Sequence, residues 1–253
     1  MTASGADDFR WNLGAGFSPP GGYYKGLPVW AWSQAVHERA LDLLVRHAPP
    51  PARVLDLGAG SGAFCQRLLD SGYKDVEAVE RRAEDFAVAG VKVHALNLDS
   101  PFAEKLKAPP ADAATALEVV EHLENPWAFA RECARLLKPG GVLVVSTPNV
   151  ESARSRVEFL LAGEFRYFTR EDYERIGHRT ALFSRMVRHV FESAGFEFLE
   201  RTFDANLWPR APKSPRKALR WLLHWATWPF MRGDKRGEVS LVAFRRRLEG
   251  KGP

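Results

Sequence analysis

Between Val54 and Ala63 the chain reads V-L-D-L-G-A-G-S-G-A, an apolar run that ends in a carboxylate, Asp56, followed by glycines at 58, 60 and 62. Glycines at that spacing let the backbone turn sharply and let a ligand come close to the main chain. The free N–H groups of a helix starting at Gly62 would favour a negative ligand group. Eighteen residues beyond Gly62, Glu80 closes the next apolar run. A carboxylate there can accept hydrogen bonds from both ribose hydroxyls of a nucleoside. Two histidines add proton chemistry: His122 in E-V-V-E-H-L and His178 in E-R-I-G-H-R-T. An imidazole titrates near neutral pH and can take the proton of a hydroxyl nucleophile. His122 is the first base candidate and His178, on a lid loop, the second.

The glycines alone do not choose the ligand. Gly58-x-Gly60-x-x-Ala63 also satisfies the dinucleotide pattern, in which alanine can replace the third glycine. The absence of G-K-[ST] excludes a phosphate-cradling P-loop. If the segment holding Glu118, Glu121 and His122 were helical, the three would share one face at i, i+3 and i+4. With His178 they would offer two carboxylates and two imidazoles, a set suited to Mg²⁺ or Mn²⁺. The same histidine could instead be satisfied by a backbone group at a helix start, and no metal is assigned.

The elements that must hold these residues follow from periodicity. A helix is predicted over 30–47, with Val36, Ala40, Leu43 and Leu44 on one face. Strands are predicted at 53–57, 76–79, 91–95, 113–117 and 142–146, and helices at 62–71, 82–89 and 126–137. Pro126 suits a first helical turn, and Lys138-Pro-Gly-Gly a tight turn. Further along, a helix at 183–194, a strand at 195–202 and a last strand at 238–244 complete the pattern, the final pair antiparallel. Alternating strands and helices predict a three-layer α/β sandwich around a mainly parallel seven-stranded sheet with an antiparallel C-terminal strand. Ligands of such sheets lie beyond the carboxyl ends of the strands.

The whole chain has 253 residues, 45% of them hydrophobic and 26% charged, which suits one α/β domain with additions. Residues 1–34 form an aromatic arm, and 35–253 the main domain, with a lid region near 150–182 and a basic, Trp-rich insert near 210–236. The net charge is +5, and the C-terminal fifth carries much of the excess, including Arg210, Lys213, Arg216, Lys217 and Arg220. Such a surface suits solvent, anionic lipid, nucleic acid or an acidic substrate. The two cysteines, Cys65 and Cys133, form no C-x-x-C or Cys/His cluster, so neither a disulfide framework nor a zinc site is expected. A reducing cytoplasm is the expected location. Met1 to Asn12 holds no apolar signal-peptide core, and no apolar run is long enough to span a bilayer.

Taken together, the motifs resemble class I S-adenosylmethionine-dependent methyltransferases, a Rossmann-like family. D-x-G-x-G-x-G matches that family's first motif, in which the acid and the loop hold the methionine part of the cofactor. Glu80 matches the ribose-binding acid, and Leu98-Asp99 the position near adenine. Residues 116–123 match the segment after the fourth strand, and 137–149 the helix–turn–strand that follows. The resemblance covers about Tyr24 to Phe244. It is strongest to the branch of ubiquinone-pathway O-methyltransferases and related small-molecule and glycan methyltransferases. It implies S-adenosyl-L-methionine as cofactor, with Asp56, Gly58, Ala59, Gly60, Gly62, Glu80, Leu98, Asp99 and Glu118 around it. It implies O-methylation of a small-molecule, lipid-linked or glycan acceptor. Two alternatives stay open. The Glu118, Glu121, His122 and His178 set resembles the metal site of RNA 3′-end 2′-O-methyltransferases, although the surroundings of His178 lack the rest of that pattern and nucleic acid is not the favoured partner. The other is a cofactor-binding regulatory or partner module without turnover.

The arm and the insert depart from the common pattern. Tyr23, Tyr24, Trp30 and Trp32 would cover the cofactor, stack on an acceptor or pack the arm down. Arg166, Tyr167 and Phe168 are candidates for the acceptor entrance. In 215–231, Trp221, Trp225 and Trp228 recur at i, i+4 and i+7 between basic ends. That pattern suits a helix lying in a membrane interface, or a cap helix packed on the domain.

Overall fold

The computed structural model describes residues 18–204 and 214–248. Its elements are β1 (Tyr23–Tyr24), β2 (Leu27–Pro28), α1 (Gln34–His47), β3 (Val54–Leu57), α2 (Ala63–Asp70), β4 (Val76–Glu80), β5 (Lys92–Ala95), α3 (Ala103–Leu106), β6 (Ala111–Ala116), α4 (Pro126–Leu136), β7 (Leu137–Pro148), α5 (Ala153–Ala162), α6 (Arg170–Ile176), α7 (Ser184–Ser193), β8 (Phe196–Phe203), α8 (Pro215–Thr227) and β9 (Val239–Arg246). The main sheet has seven strands in the order β5-β4-β3-β6-β7-β9-β8. The pairs from β5 to β7 are parallel. β9 runs antiparallel to both of its neighbours. The three-layer fold expected from the alternating pattern is the one observed.

β3 is buried along its whole length, as expected for a central strand covered on both faces. Its side chains alternate between two cores. Leu55 and Leu57 join the layer of Phe102, Phe129, Phe191 and Phe244, under α3, α4 and α7. Val54 joins the layer of Val36, Leu43, Leu44, Phe64 and Leu68, under α1 and α2. In the first layer Phe191 and Phe244 pack with centroids 5.0 Å apart; each fully buried phenyl ring contributes about 1.5–3 kcal/mol relative to exposure. Asn125 caps α4 by accepting from the Ala128 N–H, with Pro126 in the first turn as predicted.

Three local expectations are corrected. Residues 82–89 are not a helix; only Ala83–Asp85 make a single 3₁₀ turn. The chain is drawn over the glycine loop instead: the Ala87 N–H donates to the Ser61 carbonyl, and Phe86 and Val88 pack against Gly62. The segment after β6 is not α-helical either. Glu118 has φ of +54°, and only Val120–His122 form a 3₁₀ turn, so Glu118, Glu121 and His122 do not line up on one helical face. Lys138-Pro-Gly-Gly is absorbed into β7 as an irregularity, where two steps along β6 (Ala111 to Ala113) correspond to five along β7 (Leu137 to Val142).

The described part of the arm is a small β1–β2 hairpin rather than wholly irregular chain. It is pinned to the domain: Tyr24 Oη and Lys25 Nζ both donate to Asp70, and Ser61 Oγ donates to the Pro28 carbonyl. Residues 150–182, expected to form a lid, hold α5 and α6. α6 starts with a capping box between Thr169 and Asp172. The insert holds α8 and a 3₁₀ turn at Trp228–Phe230. Residues 1–17, the part of the insert at 205–213 and residues 249–253 lie outside the described residues.

Candidate active site

A cavity of about 1150 Å³ opens beyond the carboxyl ends of β3, β4, β5 and β6. Asp56, Gly58, Ala59, Gly60, Glu80, Leu98, Asp99, Glu118, His122 and His178 all line it. Of the residues assigned to cofactor or catalysis, Gly62 is the one missing from its wall. It serves as the N-cap of α2 instead, with φ of +91°. A Cβ there would meet Val88 Cγ2 at 2.5 Å. Gly58, with φ of +78°, faces the same limit, since a Cβ would meet Val119 Cγ2 at 2.5 Å. The turn is therefore both left-handed and closely covered, and only glycine fits.

Asp56 sits beneath that turn, 2% exposed. Thr115 Oγ1 donates to its Oδ1 at 2.7 Å, and the Cys65 thiol to its Oδ2 at 3.3 Å. Burial pushes its pKa up to about 6. With both oxygens occupied by β6 and α2, Asp56 braces the loop from below. Glu80 Oε2 accepts the Gly60 N–H at 2.8 Å, and Oε1 the Arg82 N–H at 3.1 Å. Asp99 Oδ1 accepts the Glu124 N–H at 2.8 Å and ties the loop after β5 to the segment after β6. Glu118 exchanges two bonds with Ser146, its N–H donating to Oγ and its Oε1 accepting from Oγ, both at 2.8 Å. Burial raises its carboxyl pKa to about 7.

The opposite wall carries the histidines. Their rings meet edge to face with centroids 4.8 Å apart. His178 Nδ1–H donates to the Tyr167 carbonyl at 2.6 Å, and His122 Nδ1–H to the Gly177 carbonyl at 3.3 Å. That tautomer leaves Nε2 as the proton-accepting nitrogen of each ring. Burial, reinforced by His178, lowers the His122 pKa to about 3, so the ring is neutral at neutral pH and a weaker base than a free imidazole. Burial lowers His178 too. Glu121 lies just behind, 0% exposed. Neither carboxylate oxygen has a hydrogen-bond partner of normal geometry among the described residues, and neither has Oγ1 of its polar neighbour Thr147. Burial, then the nearby Glu118, raises the Glu121 pKa well above the usual range.

Arm and lid meet at the rim. Trp32 packs edge to face on Tyr167 at 5.0 Å, and both line the cavity, as does Trp30. Tyr23 and Tyr24 do not, and neither do Arg166 and Phe168. The lid is anchored on Glu238, just before β9. Its carboxylate, 3% exposed as a residue, accepts from Arg154, Arg166 and Tyr167 at 2.9, 2.7 and 2.8 Å. The two guanidiniums, helped by the Tyr167 hydroxyl, hold its pKa below the usual carboxylate value despite burial. Sequence reasoning missed this anchor, which joins residues more than 70 apart, and it missed His37 on the buried face of α1. The only signal for His37 was a polar residue beside Val36 at helical spacing from Ala40 and Leu44.

The cavity, the closely covered glycine turn and the acid at the tip of β4 fit an adenosyl sulfonium cofactor. Comparison with known proteins agrees. A family model described as a methyltransferase domain matches residues 30–252. The ubiquinone biosynthesis O-methyltransferase of Xylella fastidiosa is 34% identical over 138 residues, 51% of this chain and 53% of that protein. Its namesake from Xanthomonas campestris pv. campestris is 37% identical over 126 residues, 46% and 50% of the two chains. The chain thus spans about half the length of these relatives. In fold it is similar to a SAM-dependent methyltransferase from Archaeoglobus fulgidus, with a TM-score of 0.57 and 17% identity over 83% of this chain and 94% of that one. A second such enzyme, from Mesorhizobium loti, gives a TM-score of 0.52 and 18% identity over 84% and 98%. The chain belongs to the methyltransferase-domain family.

Proposed function

We propose that the chain transfers a methyl group in line to an oxygen of a small-molecule acceptor, which includes lipid-linked or glycan compounds. The observation that carries this reading is the His122–His178 pair in the wall of the same cavity as the glycine turn and Glu80. S-adenosylmethionine supplies an electrophilic methyl on a sulfonium centre. Asp56, through the loop it braces, holds the methionine part, and Glu80, Leu98 and Asp99 hold and orient the nucleoside, with Glu118 beside them. Trp32 and Tyr167 close the rim and keep water out, so that alignment supplies much of the rate. A hydroxyl acceptor must lose its proton, and Nε2 of His122 or His178 receives it. The names of the relatives add a direction, towards acceptors of ubiquinone biosynthesis. The test is transfer of labelled methyl from the cofactor to such acceptors and to fractionated lipids and glycans. Label found only on nitrogen or carbon would reject the oxygen assignment.

The chain is proposed to work in the cytoplasm, with peripheral membrane contact through 215–231. Two buried free cysteines suit a reducing compartment. Among the described residues no helix is long and apolar enough to cross a membrane. On α8 and the following turn, Leu219, Leu222 and Phe230 are exposed, at 56%, 57% and 85%.

A second reading is a metal-dependent 2′-O-methyltransferase acting on RNA. One observation favours a cation: ligand atoms of Glu121, His122 and His178 all lie within 4.8 Å of one another, and the Glu121 carboxylate is buried without a hydrogen bond. A buried carboxylate in that state is stabilised by a proton or by a divalent ion. The three residues fit such an ion, which would polarise an acceptor hydroxyl. Glu118 is outside the group, committed to Ser146. Metal analysis of the purified chain and methyl transfer after chelation separate the readings; full activity in EDTA removes the metal one.

A further inference from the structure

Phe165 to Phe168 form a tight turn, the Phe168 N–H donating to the Phe165 carbonyl at 3.0 Å. The third residue of that turn, Tyr167, has φ of +68°. Glycine or asparagine normally fills such a place, because a bulky side chain there is strained. The Tyr167 side chain is fastened at its tip and along its ring. Its Oη donates to Glu238 Oε2 at 2.8 Å. Its ring lies edge to face on Trp32, with centroids 5.0 Å apart, and beneath the Arg166 guanidinium, 4.7 Å from the ring centre. Arg166 Nε in turn donates to the same Glu238 oxygen at 2.7 Å. Backbone strain of this kind persists only where the surroundings enforce it, and residues that carry it gather at functional sites.

The strained residue leads straight to the site. Its carbonyl accepts from His178 Nδ1–H at 2.6 Å, and the neighbouring Phe168 ring packs on the same imidazole with centroids 5.4 Å apart. The matching bond of His122, to the Gly177 carbonyl, is longer, at 3.3 Å. A free neutral imidazole populates both tautomers, and an acceptor facing Nδ1 selects the one whose Nε2 can take a proton. If Tyr167 relaxed to an extended conformation, its carbonyl would rotate off Nδ1 and the selection would be lost. Glu238 does not line the cavity, so it works from behind the wall. We propose that Glu238 is a positioning residue for proton transfer: through the left-handed Tyr167 it fixes His178 in the Nδ1–H tautomer. The proposal rests on the reading that the histidine pair takes the proton of an acceptor hydroxyl.

The test reads the tautomer directly, from long-range proton–nitrogen NMR spectra of the chain isotopically labelled at its histidine nitrogens, with His178→Gln identifying the resonance. The wild type is expected to show a single Nδ1–H form of His178 at neutral pH. Tyr167→Phe removes only the hydroxyl and keeps the ring on Trp32, and it should give a mixture of the two forms. Glu238→Gln, which loses the charge that holds Arg166, should do the same; the Phe variant covers the case in which the Gln variant misfolds. In each, kcat should fall about tenfold while the Kd of S-adenosylhomocysteine stays within about twofold. An unchanged tautomer in both variants, or a mixed tautomer with unchanged kcat, overturns the proposal. Methyl transfer by the wild type to nitrogen or carbon alone would instead overturn the oxygen reading beneath it.

Discussion

Glu80 shapes the turn as well as facing the cavity, because its two oxygens separately hold the Gly60 and Arg82 amides. Replacing it with glutamine swaps one acceptor oxygen for a donor and removes the charge. Glu80→Gln is expected to weaken S-adenosylhomocysteine binding about 10–100-fold, the scale of losing a charge-assisted bond of ~1.5–3 kcal/mol. His122→Gln should act differently, lowering kcat by about 10²–10⁴ while cofactor affinity stays within threefold. Isothermal titration beside steady-state kinetics distinguishes the two effects. Protonation gives a third expectation. His37 and His122 titrate near 3 in the folded chain against 6.5 when free. The unfolded chain therefore binds more protons between those values, so this part of the stability is intact above pH 6.5 and is lost as pH falls towards 3. Urea midpoints measured across that window should fall less steeply in His37→Phe than in the wild type.

At the level of elements, the glycine turn offers a controlled comparison. Gly62 and Gly72 have φ of +91° and +92°, but a Cβ at Gly62 would overlap Val88 at 2.5 Å, whereas one at Gly72 would merely touch Pro50 at 3.8 Å. Gly72→Ala pays for the dihedral alone, roughly 1–2 kcal/mol. Gly62→Ala should be clearly more destabilising in denaturant unfolding, since packing strain adds about 1–3 kcal/mol. An equal cost would mean that Val88 and Phe86 yield freely. Most elements of the sheet were legible because buried parallel strands read as short apolar runs, and Val54–Leu57 and Val142–Val145 are plain cases. Residues 82–89 were misread because their apolar side chains serve the glycine loop rather than a helix face. The segment at Glu118 was misread because a left-handed residue interrupts it, and nothing in E-V-V-E-H announces a positive φ at a glutamate. In the site, sequence motifs were enough to pick out residues that share one cavity, from Asp56 and Gly58 to Asp99 and His178. The Glu238 anchor and His37 were not legible, since tertiary contact rather than local pattern defines them.

Among the described residues, two helices that pack together, α5 and α8, each carry several exposed apolar residues. Phe159, Leu160 and Leu161 on α5 are 46%, 68% and 44% exposed, beside Leu219, Leu222 and Phe230 in the insert. The tryptophans singled out in the sequence pack on each other and on His224, as Trp221 on Trp225 and Trp228 on His224. The outward surface is carried by the leucines and Phe230, with Trp225 partly exposed beside them. If 215–231 contacts a membrane, Leu219→Asp with Leu222→Asp should abolish co-flotation with anionic liposomes while leaving the melting temperature nearly unchanged. Flotation equal to wild type would reject the contact.

β9 occupies an interior place in the sheet although it is the last strand in the sequence, and Glu238, its immediate predecessor, secures the lid. During synthesis the ribosome must therefore deliver this strand before β8 can dock and before Arg154, Arg166 and Tyr167 find their anchor. A nascent chain arrested short of Glu238 would hold its glycine turn yet leave the edge of β7 bare. Cofactor capture and acceptor selection would then mature at different moments of translation.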